Sequence, residues 1–301
     1  MTDTLREAYR VMRTIRAFEE RVHDEFATGE IPGFGPLYAG EEASAAGVCA
    51  HLDDRDTIAG AHRGHGHCIA KGVDVKAMMA EIYGRKTGSC HGKGGSLHIA
   101  DLSKGMLGAH GIAGGGPPLI CGTALAAKQQ NTGGVGVAFF GEGAGNQGTT
   151  LEALNLASVW DLPALFVAEN NGYAEVTSST WSVASDNIAD RAAGFGVPGV
   201  IVDGFDFFAI HEAAGEAVER ARDGGGPTLI EIKFTRFPGD GALDCLELFR
   251  TRVTESGELR EQVLDDIDAE VAKLIEESVS EAKAAPKPTP EDLETDVYVS
   301  Y

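Results

Sequence analysis

Residues 135–148 read VGVAFFGEGAGNQG, an apolar run followed by a cluster of glycines. The apolar run is typical of a strand that is buried on both faces, as in a parallel sheet. Residues 149–160 come next and carry apolar side chains at helical spacing. Glycines at a strand-to-helix turn let the backbone approach a diphosphate closely, and the N–H groups at the helix start favour its negative charge. The stretch therefore predicts a strand, a diphosphate-binding turn and a helix.

A second apolar run, residues 164–168, leads to Asn170 and Asn171. Adjacent parallel strands end at the same edge of a sheet, where open α/β folds bind ligands. The carboxylate of Glu142, the amide oxygen of Asn171 and a nearby main-chain carbonyl would form an oxygen-rich site there. Such a site suits Mg²⁺ bridging a diphosphate. Two ordinary turns are the alternative, but the paired arrangement favours the site.

The remaining sequence alternates predicted helices with predicted strands. Helices are predicted at residues 4–28, 41–52, 75–83 and 206–222, and strands at residues 199–202 and 228–234. An acidic helix is predicted from about residue 255 to 284, before a proline-rich tail. We expect one α/β domain over residues 1–301, with a mostly parallel sheet flanked by helices on both faces, an N-terminal helical segment and a C-terminal helix and tail.

The composition indicates an intracellular enzyme that binds neither nucleic acid nor membranes. A formal net charge of −21 opposes binding to nucleic acid and to anionic membrane surfaces. The sequence has no run of about eighteen apolar residues, and its first thirty residues lack the apolar stretch of a secretory signal. The five cysteines are widely spaced, as expected of free thiols in a reducing compartment. We therefore expect a cytoplasmic protein.

The spacing between Gly-Glu-Gly and Asn-Asn resembles the signature of thiamine diphosphate enzymes. The surrounding sequence resembles the alpha subunits of the two-subunit 2-oxo acid and acetoin dehydrogenases. This resemblance covers nearly the whole chain and is most specific at residues 14–20, 37–43, 62–67 and 92–98. Residues 26–34 and 63–72 are most similar to acetoin dehydrogenase.

The resemblance implies a thiamine-diphosphate-binding fold and an active site shared between subunits. In such enzymes this chain supplies the diphosphate and Mg²⁺ half of the site, and a beta subunit of an α2β2 heterotetramer supplies the glutamate that activates the aminopyrimidine. The implied reaction cleaves a carbon–carbon bond next to the carbonyl of acetoin or of another ketone or 2-oxo acid. A lipoyl acyltransferase component would then receive the acyl unit.

The resemblance also implies roles for individual residues. Arg63 is expected to meet the diphosphate, and the main chain of Gly111 and Ala113 to contact the aminopyrimidine ring. His62 and His65 are expected on the substrate side, with His65 the candidate for proton transfer and a buried structural histidine the alternative. The further cofactor contacts are expected from Gly143, Ala144, Asn171 and Tyr173, and the metal ligands from Glu142, Asn171 and Tyr173.

Four departures from the family's pattern surround this expected site. Glu142 replaces an aspartate, Pro36 replaces a histidine, and His110 replaces an asparagine. The late loop, residues 235–244, carries no histidine where the family has one. An enzyme with altered substrate or chemistry would explain them, and so would a non-catalytic paralogue with a structural or regulatory role. We favour the enzyme because the residues expected to face the diphosphate are retained.

Overall fold

The computed structural model describes residues 2–31, 35–234 and 243–297. The helices are α1 (Thr2–Ala27), α2 (Glu42–Cys49), α3 (His65–Ala70), α4 (Val75–Ile82), α5 (Gly116–Gln130), α6 (Gly148–Val159), α7 (Ser179–Ser182), α8 (Phe207–Arg222), α9 (Cys245–Glu255) and α10 (Glu261–Ala284). The strands are β1 (Thr57–Ala59), β2 (Met106–Gly108), β3 (Gly136–Gly141), β4 (Ala164–Asn170), β5 (Tyr173–Ala174), β6 (Thr177–Ser178), β7 (Gly199–Asp203) and β8 (Thr228–Lys233).

Six of these strands form one sheet in the order β2-β1-β3-β4-β8-β7. Every pairing between them is parallel. The other two strands, β5 and β6, form a short antiparallel hairpin directly after β4. The predicted α/β fold with a mostly parallel sheet is therefore confirmed.

The central strands separate two apolar cores. Val137, Phe139 and Val167 face one core, which also contains apolar side chains of α1, α2, α8 and α10. Their neighbours in the strands, among them Phe140 and Phe166, face a second core with α5 and α6. Successive side chains of a strand point to opposite faces, so this division places helices on both faces of the sheet, as predicted.

The two strands that the sequence places at the site are central in the sheet. β3 and β4 pair in register, and Gly141 lies opposite Glu169. Both strands are buried along nearly their whole length, which confirms the prediction from the two apolar runs. Their carboxyl ends consequently bring the turn after Gly141 beside the Asn170–Asn171 turn.

Two sequence predictions of local structure are wrong. The acidic helix predicted from residue 255 begins at Glu261, and the turn before it, with Gly257 at φ +75°, separates it from α9. A φ in this left-handed region ends a helix, and glycine adopts it without a Cβ clash. The segment at residues 62–67, predicted as a loop, enters helix α3 at His65.

The C-terminal tail packs back onto its own chain. Lys86 pairs with Asp292 at 2.7 Å, and Lys93 pairs with Asp296 at 3.2 Å. Most of the late loop, residues 235–242, lies outside the described residues. Cys245 and Leu246 after it are buried in α9. None of the helices in the described ranges is both long enough and apolar enough to cross a membrane.

Candidate active site

A cleft of about 510 Å³ lies at the carboxyl edge of the sheet. Its walls come from Gly60 after β1, the turn after β3 and the turn after β4, together with the loop before α5. This edge is where the strand–turn–helix pattern places a ligand. Of the residues with an expected role, those that line the cleft are His62, Arg63, Gly111, Ala113, Glu142, Gly143, Ala144, Asn171 and Tyr173.

His65 is the one residue with an expected role that does not line the cleft. Its ring is buried, with Nδ1 at 2.9 Å from Oε1 of Glu19 and Nε2 at 2.9 Å from Oγ of Ser96. Phe18 packs edge-on against the ring. Both ring nitrogens are thus engaged by protein groups between α1, α3 and residue 96. The geometry favours the structural histidine that the sequence left as the alternative.

The turn after β3 is shaped by a close approach to the hairpin. A Cβ at Gly143 would lie 2.7 Å from the Cβ of Ala174, so only glycine fits there without a shift. The chain then makes one turn of 3₁₀-helix at Ala144–Asn146 before α6 begins at Gly148. Arg191 holds this turn by donating to the carbonyl of Gly145 at 3.0 Å and to Oδ1 of Asn146 at 2.8 Å.

Asn171 is oriented by a buried carboxylate. Its Nδ2 donates to Oε1 of Glu41 at 3.0 Å, and its Oδ1 accepts the main-chain N–H of Tyr173 at 3.3 Å. Glu41 lines the same cleft and is only 2% exposed. The hydrogen bond to Glu41 fixes which end of the Asn171 amide is the nitrogen. The amide oxygen has two lone pairs, so it can bind a second partner besides the N–H of Tyr173.

The cleft lining includes oxygen donors of the type that a small hard cation prefers. The carboxylate of Glu142, the amide of Asn171 and the main chain of Tyr173 belong to residues lining one cleft, and Glu142 is 2% exposed. Mg²⁺ in phosphate-binding sites takes one or two carboxylates and leaves positions for phosphate oxygens and water. Within residues 2–31, 35–234 and 243–297, no cluster of three or more His, Cys, Asp or Glu side chains is arranged to hold a metal ion alone. Glu142 and Asn171 supply oxygen donors of the kind that Mg²⁺ takes in phosphate-binding sites.

Arg63 is the guanidinium in the cleft lining. Its Nη1 donates to the carbonyl of Leu37 at 2.7 Å. That bond ties the side chain to the loop between α1 and α2. A guanidinium held in this way presents planar N–H donors that match phosphate oxygens.

Glu169, which lines the cleft, is the acceptor for three buried donors. The hydroxyl of Tyr38, Oγ of Ser44 at 2.7 Å and Nε2 of His67 at 3.1 Å all meet its carboxylate. Burial alone would raise the pKa of Glu169, but the charge of His67 and these hydrogen bonds lower it below its usual value. Glu169 is consequently a carboxylate at neutral pH and holds the end of β4 against α2 and α3.

Three of the four departures from the expected pattern face this cleft. Pro36, His110 and Glu142 all belong to its lining, and the fourth departure lies in the loop at residues 235–242. His110 is half-buried, and no described residue offers its Nε2 a hydrogen-bond partner. Burial lowers the pKa of His110, and the nearby His98 lowers it further. The ring is thus neutral at pH 7.

Sequence reasoning missed Glu41 and Arg191 as parts of this site. Glu41 lies 130 residues from Asn171 in the chain, and Arg191 lies 46 residues from Gly145. One indication for Glu41 was present in the sequence, because it lies in residues 37–43, where the resemblance to the family is most specific. A pairing with Asn171 could not follow from that stretch alone.

The chain is similar to a known protein family along most of its length. A family model described as the dehydrogenase E1 component matches residues 10–241 and 240–291. The alpha subunit of acetoin:2,6-dichlorophenolindophenol oxidoreductase from Cupriavidus necator is 62% identical, over 99% of this chain and 95% of that protein. The corresponding subunit from Bacillus subtilis is 53% identical, over 97% and 93%. The pyruvate dehydrogenase E1 component subunit alpha from Zymomonas mobilis is 40% identical, over 99% and 89%.

Proposed function

The chain belongs to the dehydrogenase E1 component family, and from that premise we propose that it is the alpha subunit of a thiamine-diphosphate-dependent acetoin dehydrogenase. The enzyme cleaves a carbon–carbon bond next to the carbonyl of its ketone substrate and passes on the acyl unit. Full-length similarity to two acetoin:2,6-dichlorophenolindophenol oxidoreductase subunits supports acetoin over pyruvate as the substrate. No observation on the described residues favours the non-catalytic alternative.

One observation supports the proposal most strongly. Nine residues with an expected cofactor or substrate role, spread from His62 to Tyr173, line a single cleft at the carboxyl edge of the sheet. In an open α/β sheet this is the edge that binds ligands. A chain that kept only the fold would have no physical need for all nine residues at one cleft.

The cofactor and the cation would be held by different parts of this cleft. Arg63 and the main chain of Gly143 and Ala144 would bind the diphosphate, and Gly111 and Ala113 the aminopyrimidine. Mg²⁺ would be held by the Glu142 carboxylate, the Asn171 amide oxygen and the Tyr173 carbonyl. Glutamate in place of aspartate adds one methylene, and burial of Glu142 limits how it can extend.

Bound thiamine diphosphate supplies a nucleophilic carbon and an electron sink. The protein groups hold, orient and exclude water around it. Glu41 would keep the amide oxygen of Asn171 available, Arg63 would compensate diphosphate charge, and Glu169 in the cleft lining holds the end of β4. His62, which is exposed and lines the cleft, would face the substrate as a catalytic residue.

The alpha-subunit names of the relatives imply a beta subunit as partner. We propose that the two assemble as α2β2, that the beta subunit supplies the activating glutamate, and that a lipoyl acyltransferase accepts the acyl unit. We also propose one domain over residues 1–301 and a cytoplasmic location, which five free cysteines support.

Activity of the copurified alpha–beta complex tests this proposal. The complex, supplied with thiamine diphosphate and Mg²⁺, should reduce 2,6-dichlorophenolindophenol when acetoin is added, and kcat/KM should be higher for acetoin than for pyruvate. Omitting the beta subunit should abolish the reaction. A complex that binds the cofactor but turns over neither substrate would contradict the proposed reaction.

A further inference from the structure

Nε2 of His110 is a buried polar atom in the cleft lining that has no hydrogen-bond partner among the described residues. Six buried side-chain nitrogen or oxygen atoms in the described ranges have no hydrogen-bond partner, and His110 Nε2 is the one that belongs to a cleft-lining residue. A buried imidazole nitrogen without a partner costs free energy. In a cleft built to receive ligands, such an atom is one that a bound molecule can satisfy.

The backbone fixes His110 beside the other cleft residues. It follows edge strand β2, and its main-chain N–H donates to the carbonyl of Ala61 at 3.3 Å. That hydrogen bond joins it to the loop that carries His62 and Arg63. The ring also packs near Gly108, where an added Cβ would lie 3.6 Å from Cε1. The fold therefore sets the position of the His110 backbone, and the ring lies close to Gly108.

The charge of the His110 ring determines which ligand atoms it can hydrogen-bond. Burial, with a smaller effect from His98, lowers the pKa of His110, so the imidazole is uncharged at pH 7. An uncharged imidazole has one donor nitrogen and one acceptor nitrogen, and it suits a hydroxyl or carbonyl oxygen. The anionic diphosphate is better matched by Arg63 in the same cleft.

We propose that Nε2 of His110 hydrogen-bonds an oxygen of the ketone substrate and contributes to substrate specificity. The inference rests on the proposed function, since it assigns that substrate to this cleft. Pro36 lines the same cleft and has no side-chain polar group. His110 thus contributes a polar side chain to a cleft lining in which Pro36 contributes none.

Two variants separate the two ring nitrogens. The amide of glutamine reaches the position of Nε2, whereas the shorter amide of asparagine ends near the position of Nδ1. In the copurified complex, His110→Gln should keep kcat/KM for acetoin within about threefold of the parent chain. His110→Asn should lower it about tenfold or more, the loss expected for one hydrogen bond to substrate.

Thiamine diphosphate affinity, measured by calorimetry with Mg²⁺, should be unchanged in both variants. His98→Gln is the control, because His98 is an exposed neighbour of His110 that does not line the cleft; its kcat/KM should match the parent chain. Equal kcat/KM for the glutamine and asparagine variants would overturn the inference. So would a loss that appears in cofactor affinity instead of kcat/KM.

The parent complex distinguishes failure of this inference from failure of the proposed function. A parent complex that binds the cofactor and oxidises acetoin, combined with indifference to both His110 variants, overturns only the role of His110. A parent complex that oxidises no acetoin overturns both.

Discussion

The two sides of the cleft are built differently. The side proposed to hold diphosphate and cation follows strands β3 and β4, and its Asn171 is held by Glu41. The side proposed to face substrate is made of loop residues, including Pro36 and His110, and there two of the expected residue types have changed. On the cofactor side Glu142 has also changed, but it keeps the carboxylate of the expected aspartate, whereas the two changes in the loops alter the chemical type of the side chain. Cofactor binding can thus persist while specificity changes.

Replacing Asn171 with alanine should give the largest effect on the cofactor side. The change removes a proposed metal ligand and leaves buried Glu41 without its amide donor. We expect affinity for thiamine diphosphate with Mg²⁺ to fall by about a hundredfold or more. Calorimetry on the alpha–beta complex measures it.

Asn155→Ala is the matched control, because Asn155 is exposed on α6 outside the cleft. It should bind cofactor as the parent chain does. Equal affinities for Asn171→Ala and the parent would show that this side of the cleft does not bind the cofactor.

Replacing Glu41 with alanine should weaken Mg²⁺-dependent cofactor binding by about ten- to a hundredfold. This is the loss expected when the partner that orients a metal ligand is removed. Glu41→Gln should lose less, because its amide oxygen can still accept the N–H of Asn171. If the alanine and glutamine variants bind equally well, the carboxylate does not act through Asn171.

Replacing His65 with alanine should affect stability more than catalysis. The ring is buried against Glu19, and Oε2 of Glu19 already lacks a hydrogen-bond partner among the described residues. Removing the ring should destabilise the fold by about 1–3 kcal/mol. Thermal denaturation should show a lower Tm, and His65→Asn, which can still donate to Glu19, should recover part of it. A fall in kcat of more than about a hundredfold at unchanged Tm would instead make His65 catalytic.

The smallest expected effect lies away from the cleft, between α2 and α8. His51 Nε2 lies 2.8 Å from the carbonyl of His211, and the two rings are 4.1 Å apart. Burial lowers the pKa of both histidines. The nearby Arg222 also lowers the pKa of His51, and His51 lowers that of His211. The unfolded chain therefore binds protons more readily than the folded one. Their contribution to stability is present above about pH 6.5, the ordinary histidine value, and is lost as pH falls below it.

His51→Gln should accordingly reduce the drop in Tm between pH 7.5 and pH 5.5. His23→Gln, on the exposed face of α1, is the control and should leave the drop unchanged. Identical pH dependence in the His51 variant and the parent would remove this pair from the acid sensitivity of the fold.

The fold could be predicted largely because its central strands are buried on both faces. In a chain that alternates strands with helices, a short apolar run of that kind predicts a buried strand. β3 and β4 lie within one or two residues of the predicted runs. The break between α9 and α10 was missed because the acidic, apolar periodicity continues across Gly257, whose left-handed backbone is a local feature.

The site could be predicted only in part. The residues of the strand-end turns were found from their types and spacing, whereas their partners are set by tertiary packing. The two ring nitrogens of His65 are hydrogen-bonded by Glu19 and Ser96. Glu19 lies 46 residues away in the chain, and the sequence around His65 does not indicate either partner. The burial that leaves His110 Nε2 without a partner is likewise a property of the folded cleft.

Calorimetric titration of thiamine diphosphate into the copurified alpha–beta complex tests the central claim most directly. With Mg²⁺ present, the account predicts saturable micromolar binding at one cofactor per alpha–beta pair, and binding that is lost when Mg²⁺ is chelated. Absence of detectable binding by the folded complex would contradict the assignment of this cleft as a working cofactor site.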